Sequence, residues 1–76
     1  MNWRDHIEVN PEVLVGKPVL IGTRLSVEFV LDMIATGVSE AEMLANYPRL
    51  TRAGILACVA YASDVVRSER VLPLSA

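Results

Sequence analysis

Gly16-Lys17-Pro18-Val19-Leu20-Ile21-Gly22-Thr23-Arg24-Leu25 decides how this chain folds. Two glycines and a proline bracket a short apolar run. Pro18 fixes its own φ and biases Lys17 away from helix. Val19, Leu20 and Ile21 favour an extended strand. Gly22 then permits a turn that a residue with a Cβ would resist. The residues before Leu25 read as strand and turn, and those after Ser26 as helix.

Upstream, Trp3 to Val9 alternates loosely. The pattern predicts a short edge strand with Trp3, Ile7 and Val9 turned inward. Asn10-Pro11 marks a turn. Val13-Leu14-Val15 is a second strand candidate and Val19-Leu20-Ile21 a third. Gly16-Lys17-Pro18 is short enough to join these two as a hairpin. Strands this few must pack their apolar side on helices.

Downstream, Ser26 is an N-cap with Glu28 in the first turn, which predicts a helix over 27–36. Its polar residues, Glu28, Asp32 and Thr36, form one narrow stripe, so the helix should be enclosed nearly all round. Gly37 fits the position that ends it. Ser39-Glu40-Ala41-Glu42 is a capping box opening a short helix to about Asn46, with Ala41, Leu44 and Tyr47 inward. Pro48 stops it. Thr51 caps a third helix over 52–68, with Ile55, Leu56, Val59, Ala62 and Val66 as its apolar face. Gly54 in its first turn weakens it by about 1 kcal/mol against alanine, or admits close approach of another backbone. Val71-Leu72-Pro73-Leu74 is broken by proline and reads as a tail. The expected architecture is one mainly α domain with a small N-terminal β part. Residues 1–25 supply strands and turns, 26–68 a three-helix, helix-turn-helix-like unit, and 69–76 the tail.

A chain of 76 residues buries only about 60% of its unfolded surface, yet 53% of these residues are hydrophobic. That excess is most simply covered by a second copy, so a homodimer or higher oligomer is expected. No apolar run approaches the roughly 20 residues of a membrane span, and no apolar segment of a signal peptide follows the N-terminus. A single cysteine forms no internal disulfide, so a cytoplasmic setting is expected. The net charge of −2 argues against a strongly basic nucleic-acid binder. The charge is uneven: residues 1–48 carry −4, whereas 49–76 carry +2 through Arg49, Arg52, Arg67 and Arg70. A phosphate-facing surface belongs in the last third.

Catalysis is not expected. His6 and Cys58 stand alone in separate elements, with no metal-ligand spacing and no cofactor motif. Cys58 lies among Leu56, Ala57, Val59 and Ala60, as a small buried hydrophobe would. His6 reads as a surface residue on the edge strand. Glu28 and Asp32 share a solvated helix face. Gly16-Lys17 lacks the Ser or Thr that a phosphate-binding loop places after its lysine.

The run Gly-Lys-Pro-Val-Leu-Ile-Gly-Thr-Arg at 16–24 resembles a bacterial family, domain-of-unknown-function family 433. Gly37-Val38-Ser39-Glu40-Ala41-Glu42-Met43-Leu44 and Tyr47-Pro48-Arg49-Leu50-Thr51 resemble its second block, so the likeness spans about Ile7 to Ala62. Members are often described as VapB-type antitoxins, and the fold is grouped with helix-turn-helix proteins. The resemblance makes Gly16, Pro18, Gly22, Thr23 and Arg24 a structural motif. It implies a non-enzymatic antitoxin partnered with a PIN-like nuclease toxin, and operator DNA as a further partner. In that role the arginine-bearing, apolar end of the chain (Arg67, Arg70, Val71, Leu72 and Leu74) would contact the toxin. The alternative for this tail is folding back on its own subunit or a dimer mate.

The helix pair itself admits two readings. As a helix-turn-helix, the start of the third helix enters the major groove, with Arg49, Thr51 and Arg52 at phosphates or guanine edges. As an ordinary three-helix pack, those arginines are simply solvated, and the protein is a dimeric interaction module without nucleic acid. Arg24 is expected to pair with a nearby carboxylate, tying strand to helix, with a partner contact as the alternative, and Lys17 to stay in water.

Overall fold

The computed structural model describes residues 1–12 and 16–68. Its central strand is β2 (Pro18–Leu20), which runs antiparallel to β1 (Ile7–Val9) in the register Ile7 to Leu20 and Val9 to Pro18. Successive strand side chains point to opposite faces, and both Val19 and Leu20 are buried. The strand is therefore covered on both sides. The expected partner segment for β2, Val13–Val15, lies outside the described residues. The observed pairing reaches instead to the first strand.

The N-terminal strand is shorter than its alternation predicts. Trp3–Asp5 forms a 3-10 turn, capped by the Asn2 side chain, which accepts from the Arg4 backbone N–H at 3.1 Å. A side-chain cap of this kind competes with extended backbone. Trp3 gains a better environment from it. Its indole packs edge-on against Tyr61 at 4.8 Å and donates Nε1–H to Asp64 at 2.6 Å. Ile7 is buried as expected, whereas Val9 is 60% exposed on the open edge.

After Leu20 the chain reverses. Thr23 donates its backbone N–H to the Leu20 carbonyl at 3.1 Å, and Gly22 takes φ +81° at the third turn position. That conformation is one a side chain resists. The Thr23 hydroxyl donates to the same carbonyl and accepts from the Leu25 N–H. Leu20 N–H then reaches the Leu25 carbonyl at 3.0 Å, which sets Ser26 as the cap of α1 (Val27–Ala35).

The three helices begin where the caps place them. Ser26 Oγ accepts from Phe29 N–H, Ser39 Oγ from Glu42 N–H, and Thr51 Oγ1 from Gly54 N–H. They open α1, α2 (Glu40–Asn46) and α3 (Arg52–Ser68). Gly37, at φ +88°, ends α1: its N–H donates to Ile34 and that of Val38 to Met33. This pairs carbonyls that would otherwise be left without partners.

The inward faces depart from the periodicity in all three helices. In α1, Val27, Val30 and Met33 are buried, but Phe29 and Ile34 are exposed, so the helix is not enclosed all round. In α2 the buried residue is Met43, with Leu44 and Tyr47 beside it, whereas Ala41 is exposed in the first turn. In α3 the inward residues are Gly54, Ile55, Ala57 and Cys58. Leu56, Val59 and Val66 face solvent at 45, 46 and 65% exposure. Small side chains let α3 sit close to the strand: a Cβ on Gly54 would stand 3.4 Å from Leu20 Cδ1. The close neighbour at Gly54 is thus a leucine side chain and the Thr51 hydroxyl.

Candidate functional site

Residues 22–25, at the end of the first sequence block, and 47–49, within the second, meet in space. Gly22, Thr23, Arg24 and Leu25 form one wall of a cleft of about 660 Å³, and Tyr47, Pro48 and Arg49 form the other. The turn at Gly22 aims its carbonyl outward, where Arg49 Nη1 donates to it at 3.2 Å. Tyr47 is held from behind by Phe29, edge to face with ring centres 5.5 Å apart. Among the described residues, no carboxylate lines this cleft. Arg49 also borders a smaller hollow of about 220 Å³ with Asp5, His6, Thr23 and Thr51. His6, expected on the surface of the edge strand, is half-buried in the turn before β1 and lines that hollow.

The residues assigned to DNA lie together at the start of α3 with their polar groups already engaged. Thr51 caps the helix. Arg52 Nε pairs with Glu40 Oε1 at 3.1 Å, both side chains exposed. Arg49 holds the Gly22 carbonyl. In the Gly16–Arg24 motif, Gly16 takes φ +80° and Pro18 opens β2. Arg24 forms no ion pair with any described carboxylate, contrary to the strand-to-helix tie expected of it. Lys17 takes an exposed pair instead, with Glu28 at 3.5 Å.

At the other end of α3, Arg67 donates to Asp64 at 2.6 Å and to Ser63 at 3.3 Å. Arg70, Val71, Leu72 and Leu74 lie outside the described residues. Asp64 sits below the usual carboxylate range, chiefly through the Trp3 hydrogen bond, with the positive charges of Arg67 and Arg4 adding to it. Cys58 is fully buried, and burial pushes its thiol up to about 11. Among the described residues, no group of three or more His, Cys, Asp or Glu is placed to hold a metal, and no helix is long and apolar enough to cross a membrane.

The model of one family, proteins of unknown function DUF433, matches residues 7–62. The chain belongs to the DUF433 family. Its fold is similar to the crystal structure of a DUF433 member from Anabaena variabilis, at 28% identity and a TM-score of 0.77. The likeness covers 84% of this chain and 63% of that one. The chain thus spans less than two thirds of that DUF433 protein's length. No curated protein matches the chain. Both walls of the cleft, 22–25 and 47–49, fall within the DUF433 match.

Sequence reasoning missed this cleft. It joins residues 27 positions apart, and neither wall alone has a ligand pattern. The one available signal was that both walls belong to the blocks carrying the family resemblance. The outward face of α3 was missed for a different reason. Periodicity places large apolar residues in the core, whereas apart from Ile55 the small ones face in.

Proposed function

We propose that this chain works by binding and not by catalysis, as a homodimer formed along the outer face of α3. One observation carries this. Leu56, Val59 and Val66 lie on a single stripe of α3 and leave roughly half or more of their surface in solvent, while the helix spends its small residues on its own core. A second copy presents the same stripe, and a two-fold arrangement lets each cover the other. Covering a half-exposed leucine or valine contributes about 1 kcal/mol, which accumulates across both protomers. The role this module fills is that of an antitoxin: a cytoplasmic protein that occludes a PIN-like nuclease and makes or breaks no bond itself. The DUF433 resemblance supports that role. The test is co-expression with the product of the adjacent reading frame. Co-purification with a nuclease whose activity it suppresses supports the reading, and independent migration of the two proteins overturns it.

Operator binding is a second reading, favoured by the exposed guanidinium groups of Arg49 and Arg52 on either side of the Thr51 cap. Both are engaged, but an exposed ion pair such as Arg52 with Glu40 contributes only about 0–1 kcal/mol, so a phosphate can displace it. The double substitution Arg49→Glu, Arg52→Glu should abolish operator retention and leave the dimer intact. Retention that survives both substitutions and is insensitive to salt contradicts the reading.

A further inference from the structure

We propose that the cleft between Gly22–Leu25 and Tyr47–Arg49 is a docking site for an acidic peptide segment of a partner protein. The segment carries a carboxylate beside an apolar side chain. The inference rests on the protein-binding reading above and names the chemistry of what is bound.

The argument begins from charge. The chain is acidic overall, with nine Asp and Glu against seven Lys and Arg, yet among the described residues this cleft is lined by two arginines and no carboxylate. Arg24 has no ion pair among the described residues. Arg49 spends one N–H on the Gly22 carbonyl, which orients its guanidinium and leaves further donors for a ligand. Guanidinium groups match carboxylate geometry by paired hydrogen bonds.

The walls choose among anions. Beside Gly22 and Thr23, Leu25, Tyr47 and Pro48 give the lining its apolar and aromatic faces. A duplex backbone is convex and hydrated and offers nothing to such walls. A peptide offers a leucine or aromatic side chain to Leu25, Tyr47 and Pro48 and a carboxylate to Arg24 and Arg49. The volume of about 660 Å³ falls in the range of small-ligand clefts, about 300–1,000 Å³, and admits a short peptide segment. The site is prearranged: Gly22 is fixed by the turn, Arg49 by Gly22, and Tyr47 by Phe29. Arg24, exposed and without an ion pair among the described residues, is the part left for binding to order.

The test is an amide-shift titration of the ¹⁵N-labelled full chain by nuclear magnetic resonance. The probe is a blocked hexapeptide alternating leucine and glutamate. Controls are the same peptide with glutamine for glutamate, the same peptide with glycine for leucine, and a mixed-sequence DNA duplex. The expected result is saturable shifts centred on Gly22, Thr23, Arg24, Leu25, Tyr47 and Arg49, with weaker binding by both peptide controls. Arg24→Gln, at an exposed residue with no ion pair to lose, should weaken binding about tenfold, as loss of a charge-assisted hydrogen bond does. Equal binding of the glutamine peptide, DNA competing more tightly for the same amides, shifts scattered elsewhere, or none at millimolar peptide would each overturn the proposal. Sedimentation of the same samples separates the two claims. A dimer that ignores the peptide sinks the cleft alone, and a monomer that binds it sinks the dimer.

Discussion

Replacing Leu56 and Val59 together by glutamine tests the proposed dimer along the outer face of α3. These side chains are 45 and 46% exposed in the isolated chain. Full burial of such a residue contributes about 1.5–3 kcal/mol, so covering the remaining half contributes about 1 kcal/mol each. Two residues on each of two protomers give about 4 kcal/mol, or nearly three decades in the dimer dissociation constant. Glutamine keeps helix propensity near that of leucine, so α3 should persist. Sedimentation velocity over a dilution series reads the dissociation constant, and far-ultraviolet circular dichroism reads the helix. The expected result is a weakening of two to three decades, on the order of that estimate, with unchanged helix content. A dissociation constant that moves by less than about threefold, or under 0.7 kcal/mol, refutes the reasoning. Loss of helix refutes it too, because the stripe would then belong to the monomer's own core.

Other expectations concern the fold. Asp64 has its pKa lowered from 3.8 by the Trp3 hydrogen bond and by Arg67 and Arg4. Its contribution to stability is therefore complete above 3.8 and lost as pH falls through the lower folded value. Melting temperatures should be flat in this respect from neutrality to pH 5 and fall below pH 4, and Asp64→Asn should flatten that acid limb; an unaltered acid limb in the variant contradicts the clasp. Gly54→Ala gains about 1 kcal/mol of helix propensity but brings a Cβ to 3.3 Å from Thr51 Oγ1 and 3.4 Å from Leu20 Cδ1. The chemical-denaturation midpoint should rise by less than that full gain, while Gly54→Ile should cost about 1–3 kcal/mol by overpacking. Cys58, buried with its thiol near 11, should resist a thiol reagent at pH 8 until denaturant unfolds the chain; fast labelling of the native protein contradicts its placement.

Local signals in the sequence proved sound where the physics is local. Ser26, Ser39, Thr51 and Gly37 mark helix ends because a hydroxyl or a positive φ satisfies backbone groups within a few residues. Gly22 turns the chain for the same kind of reason. Trp3 turns inward as its alternation predicts, but from a 3-10 turn and not a strand, because its partners, Tyr61 and Asp64, lie about sixty residues away. On α3 periodicity places Ile55 inward, where it is buried, but it ranks the other positions by hydrophobicity and size, whereas the packed face, with Gly54 against Leu20, holds Gly54, Ala57 and Cys58. The same inversion left Leu56, Val59 and Val66 outside. Arg24 was read as a tie to a carboxylate because charge pairing is the common use of such a residue. Its place at an acid-free cleft emerges only when Tyr47–Arg49 is folded against it.

Sedimentation equilibrium of the full chain at several concentrations tests the central claim most directly. A mass rising with concentration to twice 8.3 kDa is the predicted result. A particle of 8.3 kDa at every concentration would contradict the account.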